Sequence, residues 1–198
     1  AVWMHCSGWA RGDLMAGLPN STISSRRRAR RVARAAAAVN HPGVCQIYEV
    51  AEDQDQLFLV MELLEGQPLS DVLEAGPQSP VDALALLWPA LEALEALDAS
   101  GIVHRDLKPS NVFVTAHGVK LLDFGLARSV VDEATATVAD LTMQGQVAGT
   151  PAYMAPEQLD GSRVDRRGDL FAAGALLFEM VTGRSPFAAA SNLASMHA

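Results

Sequence analysis

The stretch HRDLKPSN, residues His104–Asn111, decides how the rest of the chain is interpreted. It brings a carboxylate, a cation and an amide, Asp106, Lys108 and Asn111, onto one short loop that also contains Pro109. Each of these residues taken alone is most simply a solvated loop residue. Their significance therefore depends on the motifs that come after them in the chain.

Two further motifs occur in order, Asp123-Phe124-Gly125 and then GTPAYMAPE at Gly149–Glu157. Before the first of them, two short apolar stretches around Ala116-His117-Gly118 predict a hairpin, Val112–Thr115 with Val119–Leu122. Such a hairpin returns the chain so that Asp123 meets the preceding loop. The three motifs in this order favour one shared site over unrelated loop residues.

Composition limits the class of protein. The 198 residues are 49% hydrophobic, enough for one domain with a real core, which excludes a disordered tail. The net charge of −8 is opposite to that of most proteins that bind nucleic-acid phosphates, so we expect no nucleic-acid partner. Cys6 and Cys45 make neither a disulfide framework nor a metal site, and they fit a reducing, cytoplasmic location. The apolar stretch Leu170–Val181 is too short to cross a bilayer, so no membrane segment is expected in this chain.

The first third of the chain predicts few regular elements. Residues 1–25 show no periodicity and are predicted to be irregular. An arginine-rich stretch, 26–34, continues into Ala35–Ala38 and predicts a helix, with the arginines on its solvated face; a phosphate or nucleic-acid patch is the alternative. Two apolar stretches, Val44–Val50 and Gln56–Met61, then predict a hairpin.

Helices dominate the predictions for the remainder. Leu69–Ala75 predicts a short helix and Pro80–Ala99 a long one, interrupted by Pro89. Leu84, Leu87, Leu91 and Leu94 are predicted to lie on one face of that long helix. Asp169–Thr182 predicts the last helix, with Gly183 as its C-cap.

The three motifs resemble those of Hanks-type protein kinases, in the serine/threonine branch and of bacterial style. The resemblance covers about residues 26–198. It implies an α+β fold with two lobes: a small lobe reduced to one helix and a β-hairpin in residues 26–65, and a mainly helical, incomplete large lobe in residues 66–198. Residues 1–25 are not kinase-like.

The resemblance implies ATP-dependent phosphoryl transfer to Ser or Thr of protein substrates, with ATP and Mg²⁺ as cofactors. Asp106 would accept the proton of the substrate hydroxyl, and Lys108 would place a cation at the transferring phosphate. Thr150 would hydrogen-bond both of these side chains. Asn111 and Asp123 would supply oxygen ligands to Mg²⁺, which prefers hard oxygen donors.

The resemblance also implies where the nucleotide base binds. Met61 would be the gatekeeper, the backbones of Glu62 and Leu64 would hydrogen-bond the adenine, and Phe113 would lie beneath it. His104 is expected to pack as a core residue. Asp169 resembles the family's aspartate that ties down the backbone of the catalytic loop.

For regulation, the resemblance implies that Arg105 pairs with a phosphate on the loop that begins at Asp123. Thr135, Thr137 and Thr142 are the candidate phosphorylation sites, with unmodified loop threonines as the alternative.

The chain departs from the family pattern before residue 40. No glycine-rich loop precedes Arg26, the only lysines are Lys108 and Lys120, and Val32 stands where the family has the glutamate that pairs with its phosphate-gripping lysine. We therefore expect the isolated chain to be inactive or impaired. The favoured explanation is a fragment that is truncated at both ends. We expect the chain to be cytoplasmic, and its full-length form could carry a membrane anchor. The alternative is a pseudokinase-type binding or scaffold module.

Overall fold

The computed structural model describes residues 2–5, 33–53, 56–123, 151–159, 162 and 164–187. Within these ranges the chain forms a small lobe and a large lobe, each with a three-stranded antiparallel sheet. The small lobe contains β1 (Val2–His5), α1 (33–37), β2 (Ile47–Asp53) and β3 (Gln56–Met61). The large lobe contains β4 (Gly66–Pro68), α2 (Leu69–Glu74), α3 (Pro80–Ala99), β5 (Val112–Thr115), β6 (Gly118–Leu121), α4 (Pro156–Leu159) and α5 (Arg166–Thr182).

The first predicted hairpin is confirmed as the pair β2 and β3, in which Asp53 lies opposite Gln56. Strand β2 begins at Ile47 rather than at Val44. The reason is that Val44 forms a parallel bridge with Leu121 of the large lobe instead. Two backbone hydrogen bonds flank this bridge, so the stretch after α1 is fixed to the end of β6.

The prediction of irregular structure for residues 1–25 is wrong for Val2–His5. These residues form β1, which pairs antiparallel with β3 and gives the sheet the order β1-β3-β2. Four residues are too few to show an alternating pattern, and backbone pairing with β3 holds them in the extended conformation. The small lobe therefore has a third strand in addition to the predicted hairpin.

The predicted helix after the arginines is present as α1. Ala33 and Ala36 of α1 are buried, as is Val39 just after it, while Arg34 is exposed, as expected of an arginine on a solvated face. The other arginines of that stretch and Val32 lie outside the described residues.

Helix α3 has the predicted bounds, and its start is specified by the local sequence. The hydroxyl of Ser79 accepts a hydrogen bond from the backbone N–H of Asp82 at 3.2 Å, and Pro80 occupies the first helical position. The helix continues through Pro89 to Ala99.

The inward face of α3 differs from the predicted leucine stripe. Leu87 and Leu94 are buried and Leu91 is partly buried, but the Leu84 side chain is 53% exposed, so the leucine face is buried only in part. Alanines fill the face in its place, and they let the backbone of α3 approach α5 closely. The buried residues of α3 are Ala83, Leu87, Ala90, Ala93, Leu94 and Leu97.

Helix α5 begins three residues before the predicted start. The carboxylate of Asp165 accepts a hydrogen bond from the N–H of Arg167 at 2.9 Å, which caps the helix there and leaves Asp169 in its first turn. Gly183 ends the helix with a φ of 67°, the left-handed C-cap that the sequence predicted. None of the helices in the described part of the chain is both long and apolar enough to cross a membrane.

The two leucines of α3 provide a matched test of this packing. Leu87→Ala should lower the free energy of unfolding by about 2–5 kcal/mol, because it leaves a cavity in the core against which α3 packs. Leu84→Ala removes the same atoms from an exposed position and should change it by less than about 0.5 kcal/mol. Urea denaturation of both variants measures the difference. Equal losses would contradict the observed face of α3.

Candidate active site

The carboxylate of Asp169 holds the catalytic loop, residues His104–Asn111, against α5. One carboxylate oxygen accepts the backbone N–H of His104 at 2.8 Å, and the other accepts the N–H of Arg105 at 2.8 Å. Burial raises the pKa of Asp169, while the hydrogen bonds and the nearby His104 act in the opposite direction. The structure thus shows the contact that the sequence predicted between this aspartate and the loop backbone.

His104 lies in the core, as expected. Its side chain is completely buried, and burial lowers the pKa of the imidazole, so the ring is neutral near pH 7. Its Nδ1 accepts a long hydrogen bond of 3.4 Å from the N–H of Asp106. The ring is therefore a support for the loop backbone rather than an acid or base.

Two side chains of the catalytic loop converge on one carboxylate oxygen of Asp106. Lys108 Nζ lies 2.8 Å from Asp106 Oδ2, and Asn111 Nδ2 donates to the same oxygen at 3.0 Å. The Asn111 amide also donates to the backbone carbonyl of Asp106 at 2.8 Å. The Asp106 side chain is 24% exposed, so the carboxylate is held firmly but remains reachable from solvent.

The hairpin of β5 and β6 brings Asp123 to this cluster, as the sequence predicted. The N–H of Leu122 donates to the carbonyl of Asn111 at 2.9 Å, which closes the base of the hairpin. Asp123 is the next residue, with a φ of 56°, in the left-handed region that non-glycine residues seldom adopt. The strained backbone points to a position that the surrounding structure determines.

Asp123 lies in an environment that favours a cation. Burial, and then the negative charge of Asp106, raise the pKa of the Asp123 carboxyl to about 6, although Lys108 counteracts part of this effect. Both described hydrogen bonds of the Asn111 amide use its nitrogen, which leaves the amide oxygen available as a ligand. A buried carboxylate and an amide oxygen are the hard donors that Mg²⁺ prefers, so these residues fit the ion.

The residues assigned to the adenine site lie together between the lobes. Met61 and Phe113 are buried in one apolar cluster, and Leu64 packs against it. Cys45 and Leu122 complete the cluster, and the sequence interpretation missed both. Burial raises the pKa of the Cys45 thiol to about 12, so the side chain acts as an apolar wall.

An ion pair that the sequence interpretation also missed holds the segment that follows β3. Lys120 Nζ lies 2.6 Å from Glu62 Oε2, and the same oxygen accepts the N–H of Gln46 at 3.3 Å. The N–H of Glu62 in turn donates to the carbonyl of Gln46 at 2.9 Å. The pair joins the end of β3 to β6 and leaves the backbone after Glu62 in a defined position.

The remaining predicted site residues divide into two groups. Arg105 is described, with a φ of 63°. Thr150 and the three candidate phosphorylation sites, Thr135, Thr137 and Thr142, lie outside the described residues, as does Phe124. Their predicted roles stay predictions.

Comparison with known proteins assigns this chain to a family. The model of the protein kinase domain matches residues 18–198. The chain therefore belongs to the protein kinase family, in its bacterial Hanks-type serine/threonine branch. The two-lobe fold and the family expected from the sequence are thus confirmed.

Individual relatives support the same assignment. The chain is 46% identical over 164 residues to the serine/threonine-protein kinase pkn2 of Myxococcus xanthus, covering 81% of this chain and 19% of that protein. It is 41% identical over 168 residues to the serine/threonine-protein kinase PknL of Mycobacterium tuberculosis, covering 84% and 41%. The crystal structure of the Mycobacterium tuberculosis PknI kinase domain superposes with a TM-score of 0.68 at 25% identity, covering 87% of this chain and 62% of that one. The chain thus spans less than half the length of these two curated relatives.

The raised pKa of Asp123 predicts a stability that depends on pH. Below about pH 3.8, the ordinary pKa, the carboxyl is protonated in both the folded and the unfolded chain and has no effect. As the pH rises towards 6, the unfolded chain ionises first, which favours unfolding. Without added Mg²⁺, Asp123→Asn should therefore be more stable than the parent by about 1–3 kcal/mol at pH 7.5.

Urea denaturation across a pH series measures this difference. The advantage of Asp123→Asn should shrink as the pH falls to 4, whereas the exposed Asp71→Asn should show no such pH-dependent gain. A variant that is equally stable or less stable at pH 7.5 would show that Asp123 carries no cost of burial.

Proposed function

We propose that the chain is the catalytic part of an ATP-dependent protein serine/threonine kinase, and that the isolated chain transfers phosphate slowly. The observation that carries the proposal is the Asp106 carboxylate, which Lys108 and Asn111 hold through one oxygen at 2.8 and 3.0 Å. Phosphoryl transfer depends mainly on positioning and on charge neutralisation, and this cluster supplies both.

In the proposed reaction, Asp106 receives a hydrogen bond from the substrate hydroxyl, aims its oxygen at the γ-phosphate of ATP and accepts its proton. Lys108 lies beside Asp106 and places a positive charge where the phosphate is transferred. Asn111 and Asp123 would hold Mg²⁺, which when bound neutralises the phosphate oxygens. Thr150 is proposed to hydrogen-bond Asp106 and Lys108.

The nucleotide base is proposed to bind in the apolar cluster of Met61, Phe113, Cys45 and Leu122. The backbone groups of Glu62 and Leu64 would hydrogen-bond its edge. The Glu62–Lys120 ion pair supports this arrangement, because it ties Glu62, at the start of the segment that carries those backbone groups, to β6.

The small number of lysines explains why we expect phosphate transfer to be slow. The sequence contains only Lys108 and Lys120, and these lie 2.8 Å from Asp106 and 2.6 Å from Glu62. Neither is left to grip the α- and β-phosphates of ATP. Loss of one preorganised electrostatic contact typically lowers the rate by about 10²–10³-fold.

A transfer assay with radiolabelled ATP, Mg²⁺ and a generic protein acceptor tests the proposal. The chain should label serine or threonine slowly, and Asp106→Asn should reduce the rate by at least about 10²-fold with little change in ATP affinity. Asp123→Asn should abolish both transfer and the Mg²⁺ dependence of ATP binding. The exposed Asp71→Asn serves as the control.

The opposite results are equally clear. Robust turnover would contradict the expected impairment, and equal rates in both variants and the parent would refute the assigned roles. The absence of ATP binding at millimolar concentration would instead favour the scaffold alternative, which the lack of a phosphate-gripping lysine also supports.

Regulation by loop phosphorylation is proposed on the same basis. A phosphate on Thr142, or on Thr135 or Thr137, would add about two negative charges within reach of Arg105 and order the loop. If so, Thr142→Ala and Arg105→Ala should each prevent the activation that self-incubation with ATP produces, measured by activity and by mass spectrometry of the loop. Unchanged activation in both variants would exclude this switch.

A further inference from the structure

The backbone of Arg105 is held on both of its sides by side chains from two separate helices. The Arg105 N–H donates to Asp169 of α5 at 2.8 Å, and the Arg105 carbonyl accepts a hydrogen bond from Nε2 of Gln158 in α4 at 2.9 Å. Arg105 has a φ of 63°, in the left-handed region that a non-glycine residue seldom adopts. Such a residue keeps its conformation only where surrounding contacts require it, and these two bonds are such contacts.

Gln158 makes a second contact that reaches a different part of the site. Its Oε1 accepts the backbone N–H of Ala155 at 3.0 Å. Ala155 belongs to the segment Pro151–Leu159, whose Tyr153 hydroxyl donates to Glu179 on α5. One carboxamide thus joins the catalytic loop to the GTPAYMAPE segment.

We propose that Gln158 is a positioning residue that sets the direction of the Arg105–Asp106 peptide and thereby the orientation of Asp106 towards the segment Pro151–Leu159. Gln158 contacts the backbone carbonyl that directly precedes Asp106 and does not touch the Asp106 carboxylate, which Lys108 and Asn111 hold. The effect on catalysis rests on the proposed function. The effect on the loop backbone does not.

The chemistry of the side chain makes the proposal specific. A primary amide donates from its nitrogen and accepts at its oxygen, and both functions are used here. Glutamate has the same shape but, when ionised, only accepts, so it would keep the Ala155 bond and set an anionic oxygen against the Arg105 carbonyl. Protonated glutamate can donate again, whereas methionine can do neither.

Amide hydrogen exchange of the chain, measured by NMR as protection factors, tests the proposal with Gln158→Glu, Gln158→Met and the control Gln67→Glu. Gln67 is an exposed residue of β4, and its variant adds the same charge. At pH 7, protection of the Arg105 and Asp106 amides should fall by about tenfold in both Gln158 variants and stay unchanged in the control, as expected for the loss of one hydrogen bond. Protection in α3 should be unaffected.

Acidification separates the two variants. As the pH falls from 7 to 4.5, the loss of protection in Gln158→Glu should shrink, because the protonated carboxyl donates to Arg105. Gln158→Met should show no such recovery. In the transfer assay, Gln158→Glu should lower kcat by about tenfold while KM for ATP changes less than about twofold, because the hydrogen bond acts on the base and not on the nucleotide.

Three results would overturn the proposal: unchanged protection of Arg105 and Asp106, an equal loss of protection in α3, or an identical pH response in the two Gln158 variants. A parent chain that transfers no phosphate would refute the proposed function instead. The exchange measurements would still decide the role of Gln158 in that case.

Discussion

The site depends on one interaction, the acceptance of two backbone N–H groups by the carboxylate of Asp169. Without these two hydrogen bonds, the backbone of His104 and Arg105 would not be attached to α5, and the first residues of the catalytic loop would not be held in place. Asp169 can serve because α5 is itself immobilised: Leu176 and Met180, both fully buried, anchor the helix in the core of the large lobe. The packing of α5 in the core therefore fixes the backbone geometry of the loop His104–Asn111, and a preorganised site requires such a fixed geometry.

The charges that this geometry assembles define what the site can bind. Asp106 and Asp123 interact unfavourably, and Lys108 offsets only part of their repulsion. A metal-free site of this kind is short of positive charge, and a divalent cation carrying phosphates would supply it. The opposite arrangement holds where the base is proposed to bind, because Lys120 and Glu62 neutralise each other there and the neighbouring cluster is apolar. The proposed nucleotide would place its phosphates in the first of these regions and its base in the second.

Much of the fold and of the candidate site could be predicted from the sequence, and the features that could not be predicted have physical reasons. The catalytic loop and α3 were predictable because local signals specify them, namely ordered polar motifs and the Ser79-Pro80 helix start. Strand β1 was not, since pairing with β3 imposes its conformation. The leucine face of α3 is buried only in part, because Leu84 lies near the exposed start of the helix and small alanines supply much of the buried face. Gln158 carries no local signal, because its partner Arg105 lies 53 residues away in the sequence.

The most direct test of the central claim is the protection of the His104 and Arg105 amides against hydrogen exchange in Asp169→Asn, measured together with affinity for Mg²⁺ and ATP. The asparagine keeps the size of the side chain but loses its charge and one acceptor oxygen. The account predicts faster exchange at these two amides and weaker Mg²⁺-dependent ATP binding, while α3 keeps its protection. Unchanged exchange at His104 and Arg105, with unchanged binding of ATP, would contradict it.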